Sequence, residues 1–470
     1  MRPAFSGDLE WYTAWLADLK REPNALLPPA TIGLCVTTSF SKPKLAKRRG
    51  QTAPGTRPPD SVPMLDLRRQ YVKICAEVLA AIGNVCESQQ YILGPEVEAF
   101  EREMAGFCGA RDAVGCASGT DALWLALAAA GVQPGDQVLT TPFSFFASAS
   151  AIVRAGARPV FADIDPVTFN LDPAKVESFL GSGVRDKLRA LLPVHLYGQC
   201  ADMGRLQQVA EVFHLALIED AAQAIGASWD EPHGQPNKDD PSKDAPNKAH
   251  RAGSLGVSAA FSFYPTKNLS AYGEAGLVST NSPEMAAQMR LLRNHGSPRR
   301  YLHEEFGWNC RMDAIQGAIL RVKLKYIEEW NDDRRLRAAT YDRLFAETGL
   351  ARAASSIDNQ TSTSNAVPDD FPIHLPYTAP QAHHIFHQYV VRAYRRDELR
   401  EFLTARKIGT EIYYPIPLHL QPCFAYLGYR EGDFPEAERA AEEVLALPMF
   451  PELTEDEQRC VVQSVADFYC

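Results

Sequence analysis

Between residues 137 and 219 the chain repeats one unit: a short apolar run, a polar turn, then sequence with helical spacing. The apolar runs are Gln137–Thr140, Pro159–Ala162, Leu191–Val194 and Ala216–Glu219, and Ala149–Ala155 and Met203–Phe213 are two of the helical segments between them. Short, apolar strands alternating with helices predict an α/β fold, with a mostly parallel sheet covered by helices on both faces. In such a sheet, ligands bind beyond the carboxyl ends of the strands. Phe145, His195 and Asp220 fall at those ends.

The rest of the chain divides around this core. At 470 residues it is long enough for two or three domains, and 46% apolar with 23% charged residues is ordinary for a globular protein. A net charge of -10 argues against a nucleic-acid partner. No apolar run is long enough to cross a bilayer, and Asp8, Glu10 and Asp18 interrupt the place where a signal peptide would need its apolar centre. Ten scattered cysteines without a CxxC pair point to reduced thiols in the cytoplasm, with neither a disulfide framework nor a metal site. Residues 1–62 are rich in proline and carry a basic run from Lys42 to Arg49, which predicts a solvated extension; Met64 is an alternative start. Residues 231–250 have no apolar period and read as a surface insertion, and 353–380 as a Ser-, Thr- and Pro-rich loop. We expect a large domain over 63–313, then a bridging helix from about Ala314 to Phe345 that opens a smaller α+β domain over 314–470, with a closing helix at Pro435–Ala446.

Three stretches carry chemistry. Val114–Thr120 is a strand entering a turn of small residues ahead of a strong helix former, so Ser118, Gly119 and Thr120 can hold a phosphate at the positive helix end. Asp220 ends a buried strand, where a carboxylate needs a cation or strong donors. The pyridinium nitrogen of pyridoxal phosphate is one such partner, and capping the next helix is the other reading. Gln223 can reach the ring hydroxyl of that cofactor, while Phe145 either stacks on the ring or belongs to the core. Lys267 follows the apolar run Ala259–Phe263 and Pro265 and lies among small residues. Buried, its amine is a nucleophile toward carbonyls; on an exposed turn it is an ordinary surface lysine.

Ala117–Leu123, Thr141–Ser148, Pro193–Gln199, Glu219–Ala224, Phe261–Leu269, Trp308–Asp313, Tyr414–Gln421 and Leu447–Pro451 occur in the order found in one family. Through them the chain, from about Pro63 to its end, resembles the DegT/DnrJ/EryC1/StrS family of nucleotide-sugar aminotransferases. The resemblance implies a type I pyridoxal-phosphate transferase fold and a homodimer with shared active sites. It implies transfer of an amino group from glutamate to C3 or C4 of a nucleotide-linked keto-sugar, for glycan or secondary-metabolite biosynthesis. Carried over by motif, Lys267 is the Schiff-base lysine and proton shuttle, and Asp220 pairs with the ring nitrogen. Gln223 contacts the ring hydroxyl, Phe145 stacks, and Gly119, Thr120 and Ser262 hold the phosphate. Asn309 reaches the neighbouring subunit's phosphate, and Arg311, Tyr413 and His419 are candidates for substrate contact. Ile225 and Tyr413 stand where relatives often carry histidine, so the sugar pocket differs. A cyclitol-ketone aminotransferase and a non-catalytic, cofactor-binding regulatory protein are the alternatives.

Overall fold

The structure, a computed structural model, describes residues 59–183, 187–230, 249–351 and 371–469. The expected extension 1–62 therefore lies outside the described residues up to position 58, the insertion 231–250 up to 248, and the loop 353–380 from its start up to 370. In chain order the strands begin with β1 (Asp112–Cys116), β2 (Gln137–Thr140), β3 (Arg158–Phe161), β4 (Leu188–Leu192) and β5 (Ala216–Asp220). They continue with β6 (Ser228–Asp230), β7 (Ala249–Arg251), β8 (Ser258–Ser262) and β9 (Gly276–Thr280). The last four are β10 (Ile373–His374), β11 (Ala382–His383), β12 (Tyr389–Ala393) and β13 (Val444–Leu447).

Seven of these strands form one sheet in the order β1-β9-β8-β5-β4-β2-β3. The pairs from β8 through β3 are parallel, and β9 alone runs against both of its neighbours. The mostly parallel sheet expected from the repeated units is thus present, with one reversed strand. Both faces are covered. Along β8, Ala259 and Phe261 enter one apolar core while Ala260 enters the other; on β9, Leu277 and Val278 divide in the same way. That is the period of two expected where a sheet packs on both faces. The Gly119–Ala129 helix buries every residue from Ala122 to Leu127, because it lies under the sheet with the Ala147–Arg154 helix against it.

A third core joins the antiparallel sheet β10-β12-β13 to the Ile327–Thr348 and Glu455–Tyr469 helices. Here the structure corrects several expectations. The helix expected from Ala314 to Phe345 is two helices, Ala314–Leu324 and Ile327–Thr348. At the joint the Tyr326 amide bonds back only three residues to the Lys323 carbonyl (3.0 Å), and its ring stacks on Trp330. The helix expected over Pro435–Ala446 ends at Glu443, and Val444–Leu447 is strand β13. Four consecutive buried apolar residues leave no polar face for a helix, and they pair with β12 instead. Residues 249–250 of the expected insertion belong to β7, which pairs with β6. Val62, the last residue of the expected extension, is fully buried; its amide donates to the Lys407 carbonyl (3.0 Å) and its carbonyl accepts from Gly409 (2.8 Å).

The end of β5 is tied down by Glu219, whose side chain is entirely buried. Four donors converge on its two oxygens: the amides of Gly253, Leu255 and Gly256 and Nε2 of His195. Nδ1 of His195 accepts from the Ala201 amide, so the proton of a neutral ring lies on Nε2 and faces Glu219. The histidine expected at a strand end is therefore fully engaged in holding the fold. Glu219→Ala strands these buried donors, and we predict a loss of about 3–5 kcal/mol in urea unfolding followed by circular dichroism.

Candidate active site

The carboxyl ends of β1, β5 and β8 meet at one edge of the sheet. After β1, Ser118 adopts an extended backbone and its hydroxyl oxygen accepts from the Asp121 amide (3.1 Å), capping the Gly119–Ala129 helix. The Ala122 amide is bonded to the Ser118 carbonyl. Gly119 and Thr120 are then the first-turn amides with no acceptor inside the helix. Two glycines let this turn approach its neighbours. A Cβ on Gly119 would stand 2.5 Å from Cβ of Ser262, and one on Gly276 would stand 2.2 Å from the Ser118 carbonyl oxygen. Ser262, the last residue of β8, is thereby held against the helix start. The structure thus brings together Gly119, Thr120 and Ser262, as an anion site requires.

Asp220 ends β5 and is 4% exposed. Ser148 donates its hydroxyl to Oδ2 (2.7 Å), and the Ala222 amide donates to Oδ1 (3.2 Å). Since the only hydroxyl proton of Ser148 is used there, Ser144, 2.8 Å away, is the donor to Ser148. Burial raises the Asp220 pKa, and the Ser148 hydroxyl, the Ala222 amide and the charge of Lys267 work against that rise. Lys267 follows the turn after Pro265, with its amide bonded to the Tyr264 carbonyl (2.8 Å). The residue is half-buried, and desolvation brings its amine down to about 8 despite the opposing pull of Asp220. The ordinary surface-lysine reading does not describe such an amine.

Gln223 and Phe145 complete the surroundings. Oε1 of Gln223 accepts from the Tyr197 amide (2.7 Å) and Nε2 donates to the Tyr414 hydroxyl (3.0 Å). Burial raises the Tyr414 hydroxyl pKa, so it stays protonated. Phe145 is 57% exposed, with its ring 6.2 Å from that of Tyr414, which removes the core reading. Ser148 and Tyr414 were not singled out from the sequence. The spacing of Ser144 and Ser148, four apart beyond β2, is the available signal for the first; Tyr414 opens the Tyr414–Gln421 motif, which by itself assigns it no partner.

Other expected site residues are placed differently. His419 is buried, with Nε2 2.9 Å from Oε1 of Glu438 and its ring edge-on to Phe434. Arg311 donates to Oδ1 of Asn294 (3.1 Å). Asn309 is exposed and bridges Asn294 through its backbone. The Tyr413 carbonyl accepts from the Tyr197 hydroxyl, and its ring lies across that of Tyr414.

These groups fit pyridoxal phosphate. The glycine-lined turn has room for a phosphate, since a side chain at Gly119 would fill the cradle; Asp220 could face a protonated ring nitrogen, and Lys267 could take an aldehyde. Comparison with known proteins agrees. The model of the DegT/DnrJ/EryC1/StrS aminotransferase family matches residues 72–466. A Geobacillus stearothermophilus protein named pleiotropic regulatory protein is 46% identical over 409 residues, covering 87% of this chain and 99% of its own. The dTDP-3-amino-3,4,6-trideoxy-alpha-D-glucose transaminase of Streptomyces venezuelae is 40% identical over 407 residues, covering 87% and 96%. The crystal structure of S. venezuelae DesV in complex with a ketimine intermediate matches with a TM-score of 0.75 at 40% identity, covering 87% of this chain and 98% of its own.

Two outcomes are expected. In cofactor-free protein, the reaction of Lys267 with an amine reagent, followed by peptide mass mapping, has its midpoint near pH 8, below the ~10.4 of an exposed lysine. Gly119→Ala pushes Ser262 away from the helix start, and fluorescence titration with pyridoxal phosphate shows affinity weaker by about 5- to 150-fold, the scale of ~1–3 kcal/mol of overpacking.

Proposed function

The chain belongs to the DegT/DnrJ/EryC1/StrS aminotransferase family, and from that membership we propose that it moves an amino group from glutamate to a nucleotide-linked keto-sugar. It is a pyridoxal-phosphate enzyme of the sugar aminotransferase class. The observation that carries the reading is the desolvated Lys267 amine within electrostatic reach of buried Asp220, beside a glycine-lined helix start.

Bound pyridoxal phosphate supplies an aldehyde carbon that exchanges nitrogen and an aromatic ring that takes up the electron pair. The amides of Gly119 and Thr120 and the hydroxyl of Ser262 bind the phosphate. Asp220 keeps a proton on the ring nitrogen, and Ser148 holds its carboxylate in one orientation. Gln223, fixed at both ends by Tyr197 and Tyr414, lines the ring hydroxyl, and the exposed face of Phe145 covers the ring. In the resting protein Lys267 would hold the cofactor through Nζ. Once freed, Nζ would move a proton from the α-carbon of the donor to the aldehyde carbon of the cofactor. At pH 8 about half of such amines are neutral, against less than ~1% for an exposed lysine, so this group can act as a base near neutral pH.

A homodimer with shared sites fits the surface around Asn309. Tyr301, Phe306 and Trp308 are all exposed there, and Phe306 is 98% exposed. Large rings left open in one loop suit contact with a second copy, which would carry Asn309 to the partner's phosphate. Among the described residues no helix is long and apolar enough to cross a membrane, and we place the enzyme in the cytoplasm. We assign cofactor binding to a large domain over residues 63–313, followed by a bridging helix and small C-terminal domain over 314–470. Arg311 is the group proposed for a donor carboxylate, and Tyr413 for the sugar. The regulatory name of the Geobacillus relative raises a second reading, a cofactor-binding protein without turnover; intact Lys267 and Asp220 favour the enzyme.

Borohydride treatment of the full-length protein with pyridoxal phosphate should fix the cofactor to Lys267, as read by mass mapping, and Lys267→Ala should abolish the label. Release of 2-oxoglutarate from glutamate, dependent on a nucleotide-linked keto-sugar, should fall by about 10²–10⁴-fold in Lys267→Ala and by about 10²-fold or more in Asp220→Ala. Labelling without any amino transfer would favour the regulatory reading.

A further inference from the structure

Ladder pairing in β8 ends at Ser262, and Lys267 lies five residues further on. The sheet alone therefore does not hold its amine in place. The next residue, Asn268, is buried and has no part in the reactions above. Its Nδ2 donates to Oδ1 of Asn331 (2.9 Å), and Nδ2 of Asn331 donates to the Ile225 carbonyl (2.9 Å). On the other side, Oδ1 of Asn268 lies 3.0 Å from Nδ1 of His387. The orientation of each amide follows from its neighbours. A carbonyl at Ile225 demands the amino end of Asn331, so the oxygen of Asn331 faces Asn268 and the oxygen of Asn268 faces His387. Nδ1 of His387 is then the proton-bearing nitrogen, and burial keeps the ring neutral by lowering its pKa well below the usual value.

All three side chains are buried, and Asn331 is fully enclosed. Gly226 closes on it: with φ at 85°, a Cβ there would stand 2.6 Å from Nδ2 of Asn331. A packing role alone would be served by an apolar side chain of the same size. Two amides joined in series instead fix direction as well as distance, because each lost bond leaves a buried polar group unpaired.

The two ends of this chain of bonds are the turns that matter. Asn268 adjoins Lys267, and Ile225 lies two residues beyond Gln223 in the turn that starts at Asp220. We infer that Asn331, on the Ile327–Thr348 helix, is a positioning residue that ties the Lys267 turn to the Asp220–Ile225 turn and so sets the separation of amine and carboxylate. The inference rests on Lys267 being the proton-transfer amine, but its first readout does not need the cofactor.

The test compares Asn331→Ala and the apolar, similar-sized Asn331→Leu with the full-length parent protein. In each, the pH midpoint of Lys267 labelling is read by mass mapping in cofactor-free protein, and kcat and KM for glutamate are read with pyridoxal phosphate. We expect the midpoint to rise by about one pH unit toward the ordinary lysine value as the freed turn lets water reach the amine. We expect kcat to fall by about tenfold or more, with KM for glutamate within about twofold, as misplacement of a reacting group produces. Asn268→Ser, which cannot span both partners, should show the same pattern and stands in should either Asn331 variant fail to fold. Folded Asn331→Leu or Asn268→Ser protein with the parent's midpoint and kcat, altered only in melting temperature, would overturn the inference. A parent protein whose Lys267 midpoint lies near 8 but which transfers no amino group would instead overturn the proposed reaction, leaving the positioning to be read from the midpoint.

Discussion

An amine and a carboxylate occupy the same buried end of a parallel sheet, and each restrains what burial does to the other. Desolvation by itself would drive Lys267 toward the neutral form and Asp220 toward the protonated one. Their mutual attraction opposes both changes, and the Ser148 hydroxyl adds to it on the side of the carboxylate. The outcome is an amine balanced near pH 8 beside a carboxylate that retains strong donors. An exposed pair would have ordinary titration behaviour and no reactivity of this kind. A fully isolated buried charge would be too costly for the fold to keep.

Backbone geometry decides where that pair stands. Gly119 and Gly276 allow the turn after β1 to approach the ends of β8 and β9 more closely than any Cβ would permit. The start of the Gly119–Ala129 helix and Ser262 are therefore built into the sheet edge. On the opposite side, Glu219 gathers three amides and His195 in a region closed to water. It anchors the residue immediately before Asp220 to the loop that leads into β8. Successive acidic residues thus divide the work, one holding the fold and one facing the site, because neighbours in a strand point to opposite sides.

The sequence was most legible where local rules dominate. The apolar runs marked strands of a mostly parallel sheet, since a strand buried on both faces cannot hide its composition; their order in the sheet came only from the structure. The turn at Ser118–Thr120 and the lysine after Pro265 could be named as chemical groups from residue type and position. Legibility failed where long-range packing overrides a local pattern. Pro435–Ala446 has helical spacing, but Val444–Leu447 gains more from pairing with β12. The split at Lys325–Tyr326 lies within a continuous helical pattern and shows only in the three-residue hydrogen bond and the stacking of Tyr326 on Trp330.

Residue types and their order by themselves determined the α/β class, the family, and which lysine and aspartate to suspect. These depend on short-range periodicity and on motifs that are contiguous in the chain. Only the tertiary structure decided that Lys267 is desolvated, that Ser148 and Tyr414 join the site, that His195 and His419 are held by glutamates, and that Asn331 links two distant turns. Burial, and a hydrogen bond between residues more than a hundred positions apart, are properties of the packed chain. No local pattern encodes either, because each arises only when separate segments exclude water from one another.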